Sequence, residues 1–345
     1  MKIRDGKRGI MKAIVYGGPN KVNLNTITMP QTIEGFTLIK TAYAGICGTD
    51  LNIFVGSHPR AKAPLVLGHE FSGVVESGHP HLSKGTKVTV NPLLTCGECN
   101  ACLQGKSHVC ESLKLVGIDS DGGMSDFVSV PSHCVVALPE KVSLKKGALS
   151  EPIAVAIHAI RQGGYTPGDS AVVFGAGTIG LCVAFCLKHF GCTDLTLIET
   201  NEKRIEKARE FGFNTINPTI KNVSEEIESW TKGKGADIVF DCAGHPSVLP
   251  YLTDIVKVKG EIVIVAAYKN PAEINLLQGM FKELSIQFVR VYTPVDFKIA
   301  LNILEKSDEI DRVVTHVYQP EQAAQGFDDL INQTGAVKVL FEFNK

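Results

Sequence analysis

Cys96, Cys99, Cys102 and Cys110 fall within fifteen residues, in the run CGECNACLQGKSHVC. A tetrahedral zinc is held by four thiolates that a short loop can wrap around it, and the spacing C-x2-C-x2-C-x7-C draws all four from one lobe. The pattern predicts a closed, structural metal site within residues 93–113. Buried small thiols or disulfide partners explain a single C-x2-C equally well, but not three interlocking spacings. A second set of metal-capable residues is dispersed: Cys47 in GICGTD, His69 and Glu70 in LGHEFSG, and Glu151 before Pro152. A reactive zinc takes few protein ligands, drawn from segments that meet only in the folded chain, and keeps a position for water or substrate. Taken singly, each of these residues also has an ordinary reading as a core thiol, a hydrogen-bonded imidazole or a cap.

A third chemical feature lies further on. Gly175, Gly177 and Gly180 complete G-x-G-x-x-G in GAGTIG, with Thr178 and Ile179 between the last two glycines, directly after the run AVVF and at the opening of a helical segment. The glycines serve a tight turn, close approach of backbone to a pyrophosphate, and close packing of helix on strand. The helix N-terminus offers N–H groups and a positive dipole end to phosphates. A purely structural turn fits the three glycines as well, and Glu199 is what favours the dinucleotide. It stands nineteen residues after Gly180 at the end of LTLIE, where a carboxylate hydrogen-bonds the ribose hydroxyls of NAD and repels the extra phosphate of NADP. NAD is therefore the expected cofactor. Arg204 either flanks the adenine or is a solvated helix charge.

These residues need two kinds of scaffold. Up to about residue 155 the chain is rich in short alternating stretches, TLIKTAYA, FSGVVES, TKVTVNP and FVSVPSHCVVALP, which predict an all-β, barrel-like domain over 11–155. Strand and helix then alternate through AVVFG, LTLIE, NTINP, DIVFDCAG, EIVIVAA and LSIQFVRVY, predicting a doubly wound parallel sheet over 156–294. Residues 295–345 are expected to return to the first domain through the helical PVDFKIALNILEK and the strand VKVLFEFN. Residues 1–10 read as a disordered leader, with Met11 a natural start.

Composition narrows the function classes. In 345 residues, 35 Lys plus Arg stand against 36 Asp plus Glu, and no stretch gathers the basic face that a nucleic-acid zinc ribbon requires. Apolar residues make up 44%, enough for two packed cores. Cys134, Cys182, Cys186, Cys192 and Cys242 sit mostly in apolar runs and read as reduced, buried thiols of a cytoplasmic protein. No segment has the form of a signal peptide or a membrane span.

Together, GICGTD, GHEFSGVV, CGECNAC…C, DGG, EP and GAGTIG, in this order from Met11 to the C-terminus, resemble the zinc-containing medium-chain dehydrogenase/reductase family. His69 followed by Glu70, with Glu151 where classical alcohol dehydrogenases carry cysteine, looks like the polyol branch, which includes sorbitol, threonine, butanediol and sugar-acid dehydrogenases. The resemblance implies a GroES-like barrel joined to a Rossmann domain, with one catalytic and one structural zinc per chain. It makes Cys47 and His69 catalytic-zinc ligands, with Glu70 and Glu151 as alternatives for the last position. It implies a homodimer or homotetramer through edge-to-edge Rossmann contacts at EIVIVAA and LSIQFVRVY.

The implied reaction passes a hydride from a secondary hydroxyl of a polyol or sugar-derived alcohol to NAD, giving a ketone. A vicinal diol or an amino alcohol is the alternative substrate, and a non-catalytic binding or regulatory protein keeping the fold is the alternative from another class. Zinc supplies Lewis acidity that lowers the hydroxyl's pKa, and Thr49 is the candidate to accept its hydrogen bond. Relatives commonly carry His where this chain has Asn52, and an amide cannot relay a proton. His58 or water is then left to do so. Arg290 matches an arginine that polyol dehydrogenases bring to the substrate. Arg60 and Lys62 either seat an acid or phosphate group or are solvated loop charges, and Tyr292 and Phe54 either wall the pocket or only pack.

Overall fold

Strands of alternating burial, bounded by turns, build the first part of the chain, and the computed structural model describes residues 9–343. Ile10–Gly18 and Lys21–Thr28 form an antiparallel hairpin, and Leu65–Val66 pairs on the other side of the first strand. The larger sheet runs in the order Val135–Ala137, Lys87–Val90, Glu70–Ser77, Phe36–Gly45, Lys338–Glu342, Val314–Tyr318, and Phe127–Pro131 also pairs with Phe36–Gly45. Register slips twice between Phe36–Gly45 and Glu70–Ser77, at Leu38/Ile39 and at Thr41/Tyr43. Such bulges bend a strand and strengthen its twist. Beyond the second slip Gly45 faces Glu70, which sets Glu70 two residues from Cys47 across the ladder. The short pair Leu93–Leu94 and Lys114–Leu115 closes the base of the cysteine lobe.

The second part is a six-stranded parallel sheet in the order Asn214–Ile216, Leu195–Ile198, Ala171–Phe174, Ala236–Asp241, Val256–Ile264, Ser285–Phe288. Strands covered on both faces read as continuous apolar runs, and every residue of Ala171–Phe174 and Leu195–Ile198 is buried. The first strand lies inside the sheet and the chain order reverses beside it, the switch point where ligands of open α/β sheets bind. Phe174 pairs with Ile198 in parallel register, so Gly175 and Glu199 leave adjacent strands at the same level.

Of the described residues, those through Glu151, His316–Asn332 and those from Val339 onward form one compact unit, and Pro152–Thr315 with Gln333–Lys338 form the other. Helix Pro294–Lys306 belongs to the second unit, whereas the sequence reading assigned it to the C-terminal return. The reason is contact between segments far apart in the chain. Asp296 binds His158 and Arg161 of helix Ser150–Gln162, and Phe297 packs on Tyr292 at 5.6 Å between ring centroids. Of the expected leader, residues 1–8 lie outside the described residues, and Ile10 already opens the first strand. Among the described residues no helix is long and apolar enough to cross a membrane.

Candidate active site

Backbone geometry gathers the four clustered cysteines. Cys96 Sγ lies 3.9 Å from Cys102 Sγ and 3.5 Å from Cys110 Sγ, and all four sulfurs lie within 4.8 Å of one another. A tetrahedron with Zn–S bonds of about 2.3 Å has edges of about 3.8 Å, whereas a disulfide brings sulfurs to about 2 Å. The donor set therefore fits a zinc and no pairing of thiols. Amide N–H groups help to charge it. Those of Glu98 and Cys99 push the Cys96 thiol down to about 6, and that of Cys96 lowers Cys110. Burial and the Cys99, Cys110 and Cys96 sulfurs push Cys102 up to about 12. A second and third thiolate resist forming beside the first until a cation is shared.

The dispersed set converges as well. Cys47 precedes helix Gly48–Phe54 and donates its backbone N–H to Asp50 Oδ2 at 2.8 Å. His69 and Glu70 enter the strand Glu70–Ser77 buried, 3% and 1% exposed. The Cys47, His69 and Glu70 donor atoms lie within 4.8 Å of one another. Glu151 is outside that set. It sits 6% exposed on the first turn of helix Ser150–Gln162, and its charge reaches His69. Asp50, fully buried, stands 3.8 Å from His69 Nδ1. Burial alone lowers the His69 pKa, but Cys47, Asp50 and Glu151 outweigh it and raise it well above the ordinary value. Three buried carboxylates and a thiol around one imidazole make a donor set whose charge a cation would offset. A zinc held by Cys47, His69 and a glutamate fits, with Asp50 orienting the imidazole from behind. Asp50 is a candidate that sequence reasoning missed, although the D of GICGTD was its signal. Thr49 is half-buried on the first turn of the same helix.

The glycine turn has its own sterics. Gly175 adopts φ +94°, and a Cβ on Gly180 would meet the Gly175 carbonyl oxygen at 1.8 Å. No larger residue serves at either place. Glu199 accepts backbone N–H bonds from Ala176 at 2.8 Å, Thr200 at 2.8 Å and Asn201 at 2.9 Å. It is thereby tied to the turn that Gly177 shapes. Arg204 Nη1 is 4.0 Å from Glu199 Oε2 and lies over Gly177, 3.8 Å from where its Cβ would be. Thr178 spends its hydroxyl on the Val337 carbonyl at 2.6 Å, and Ile179 is half-buried. A further device escaped the sequence reading. Fully buried Asp241 takes Ala243 and Gly244 N–H on Oδ1 at 3.0 Å each and the Tyr268 hydroxyl on Oδ2 at 2.6 Å. It shapes the loop that follows the fourth strand at the same edge of the sheet as Gly175.

The remaining candidates divide. Arg290 is exposed beyond strand Ser285–Phe288, ahead of Val291 at φ +45°. Tyr292 is wholly buried against Phe297, so it packs a core and lines no surface. Phe54 stacks on Phe327 at 5.5 Å. Arg60 donates to the Leu113 carbonyl at 2.5 Å and pairs with Asp119 at 3.2 Å. Its charge is neutralised within the fold, while Lys62 is exposed.

A β unit with two thiol-centred donor sets, and a nucleotide-type sheet with a glutamate-capped glycine turn, define a zinc-dependent dehydrogenase. The chain matches the alcohol dehydrogenase GroES-like domain over residues 34–140 and the zinc-binding dehydrogenase domain over 178–306. It is 35% identical to a 2-dehydro-3-deoxy-L-galactonate 5-dehydrogenase of Pseudoalteromonas atlantica, covering 90% of this chain and 92% of that protein. Solved structures agree: 2R,3R-butanediol dehydrogenase from Bacillus subtilis has a TM-score of 0.90 at 31% identity, covering 97% of this chain and 100% of that one. An alcohol dehydrogenase from Escherichia coli CFT073, complexed with NADH, has a TM-score of 0.89 at 29% identity, covering 96% and 99%. The chain belongs to the zinc-containing medium-chain dehydrogenase/reductase family, in its polyol branch, and is an NAD-dependent zinc alcohol/polyol dehydrogenase.

Proposed function

We propose that the chain oxidises a secondary hydroxyl of a polyol or sugar-derived alcohol to a ketone, with the chemistry centred on Cys47, His69 and a glutamate. The observation that carries this is the mixed thiolate, imidazole and carboxylate set within 4.8 Å, unlike the all-thiolate set of the second lobe. When bound, zinc supplies Lewis acidity at the substrate oxygen and NAD supplies the hydride acceptor. The protein's own part is to place and polarise. Asp50 holds the His69 ring from its Nδ1 side, and Glu70, grouped with Cys47 and His69, is favoured over Glu151 as the resting ligand. Thr49, on the turn beside Cys47, is placed to accept the hydrogen bond of the substrate hydroxyl. Exposed Arg290 offers a fork to further substrate oxygens.

The same lobe geometry supports a second, structural zinc on Cys96, Cys99, Cys102 and Cys110. Gly175, Gly177, Thr178, Ile179 and Gly180 cradle the pyrophosphate, with Arg204 over Gly177, and Glu199 selects NAD against NADP. Ten free cysteines support a reducing, cytoplasmic setting, and balanced charge argues against nucleic acid.

A second copy of the chain pairs along the sheet edge Ser285–Phe288, where Phe288, Leu276, Leu277, Met280 and Phe281 expose apolar surface. Light scattering should give a dimer or tetramer, and a monomer at micromolar concentration would exclude the pairing. The activity is tested by NADH formation from NAD with polyols, polyol phosphates, aldonates, butanediol and threonine, with NADP in parallel. Turnover of polyols or sugar acids is the expected result. Turnover of threonine alone would move the substrate to the amino alcohols.

A further inference from the structure

Four strand ends lie side by side at one edge of the parallel sheet. Phe174 pairs with Ile198 on one side and Asp241 on the other, and Asp241 pairs in turn with Ile264. The loops that begin at Glu199, Gly175, Cys242 and Val265 therefore leave the sheet at one level. Ligands of open α/β sheets bind outside these carboxyl ends. Glu199 ties its own loop to the glycine turn through the Ala176 N–H. Asp241 ties the two loops on the other side.

Asp241 is wholly buried, and the donors on its carboxylate are neutral. Oδ1 takes the N–H groups of Ala243 and Gly244, a side-chain turn common for Asp. Turn chemistry explains that oxygen and stops there. Oδ2 takes the Tyr268 hydroxyl at 2.6 Å, from the loop after strand Val256–Ile264. The Asp241 carbonyl accepts the Val265 and Ala266 N–H groups at 3.0 Å each, so one residue holds that loop at two points. Burial, and then the bond to Asp241, raises the Tyr268 pKa above its ordinary value, which keeps the hydroxyl a donor.

The segment so held rests on the glycine turn. Cys242 N–H donates to the Phe174 carbonyl at 3.0 Å, and a Cβ on Gly175 would meet Ala243 N at 3.3 Å and Ala243 Cα at 3.4 Å. On the other side Gly244, at φ +63°, lies against Ala266, whose Cβ is 2.9 Å from where a Cβ on Gly244 would be. Residues 242–244 are thus wedged between the glycine turn and the loop that Tyr268 closes.

We propose that Asp241 and Tyr268 are positioning residues for the dinucleotide, whose mutual bond locks residues 242–244 against the glycine turn and thereby sets coenzyme affinity. This rests on the dehydrogenase reading above. Both side chains act through the backbone they hold. A loop that opens part of the time lowers apparent affinity in proportion to its closed fraction, and a buried carboxylate oxygen left without its donor favours opening.

The measurement is the NADH dissociation constant of the full-length protein, by fluorescence titration, in wild type, Tyr268→Phe and Ser170→Ala. Ser170 is the control. Its hydroxyl donates to Asp237 at 2.6 Å at the other end of the same strand, so Ser170→Ala removes the same kind of bond away from the glycine turn. Tyr268→Phe should raise the dissociation constant about fivefold or more, raise KM for NAD in step, and leave kcat at saturating NAD within about twofold. Ser170→Ala should leave the dissociation constant within about twofold of wild type. A Tyr268→Phe constant within about twofold of wild type, an equal rise in Ser170→Ala, or a Tyr268→Phe chain that fails to fold would overturn the proposal and leave the dehydrogenase reading intact. A wild type that binds neither NADH nor NADPH would overturn the cofactor reading and this proposal with it.

Discussion

The two metal-capable regions use the same element in opposite ways. The four-cysteine lobe is contiguous, takes all its donors from fifteen residues, and has one sulfur exposed and two partly so. The Cys47, His69 and Glu70 set comes from a helix start and a strand start that only the sheet register brings together, and its imidazole and carboxylate are buried. A closed thiolate tetrahedron holds a loop in shape and leaves no room for a substrate. In the proposed function a mixed set with two nearby glutamates keeps an exchangeable position, and a cation there would offset the charge of the buried carboxylates. On the proposed function, local spacing marks the site that would stabilise, and long-range assembly marks the site that would react.

That contrast can be broken by substitution. Cys47→Ser should lower turnover by roughly a thousandfold or more, with the melting temperature nearly unchanged and NADH fluorescence still reporting coenzyme binding. Loss of folding in that variant would make the buried set structural too. Cys99→Ser should do the reverse. The melting temperature falls by roughly 5 °C or more, because structural zinc contributes folding energy, while the folded fraction keeps its activity. An unchanged melting temperature would remove the distinction between the regions.

Two smaller effects lie outside both. Glu199→Ala should cut the NAD over NADP preference in kcat/KM by roughly tenfold to a hundredfold, and an unchanged preference would place coenzyme selection elsewhere. The least effect is on acid stability. Burial alone would raise the Asp296 pKa, but His158, Thr293 and Arg161 outweigh it and hold the carboxyl well below the ordinary carboxylate range. The unfolded chain thus takes the proton first. The stabilisation is complete above the unfolded value near 3.9 and is lost as pH falls below it. Urea unfolding from neutral to acid pH should show a shallower acid limb in Asp296→Asn than in wild type.

Much of this was legible in the chain. Cysteine spacing and the G-x-G-x-x-G run are local, and each is a steric or coordination requirement written in a few residues. The inner strands of the nucleotide sheet follow from apolar runs, whereas in Asn214–Ile216 only Ile216 is buried. What stayed hidden depends on packing at long range. Asp50 points at His69 from nineteen residues away, Asp241 receives a tyrosine from residue 268, and Asp296 draws helix Pro294–Lys306 into the second unit through His158 and Arg161. Arg60 reads as a free loop cation until its partners Leu113 and Asp119 are seen. Tyr292 reads either as a pocket wall or as packing, and only its full burial against Phe297 decides for packing.

The most direct test of two sites with two roles is the zinc content per chain of the wild type, Cys47→Ser and Cys99→Ser, by plasma mass spectrometry on desalted protein. The account predicts about two zinc ions in the wild type and about one in each variant. A wild type with about one zinc, unchanged in Cys47→Ser and lost in Cys99→Ser, would contradict it.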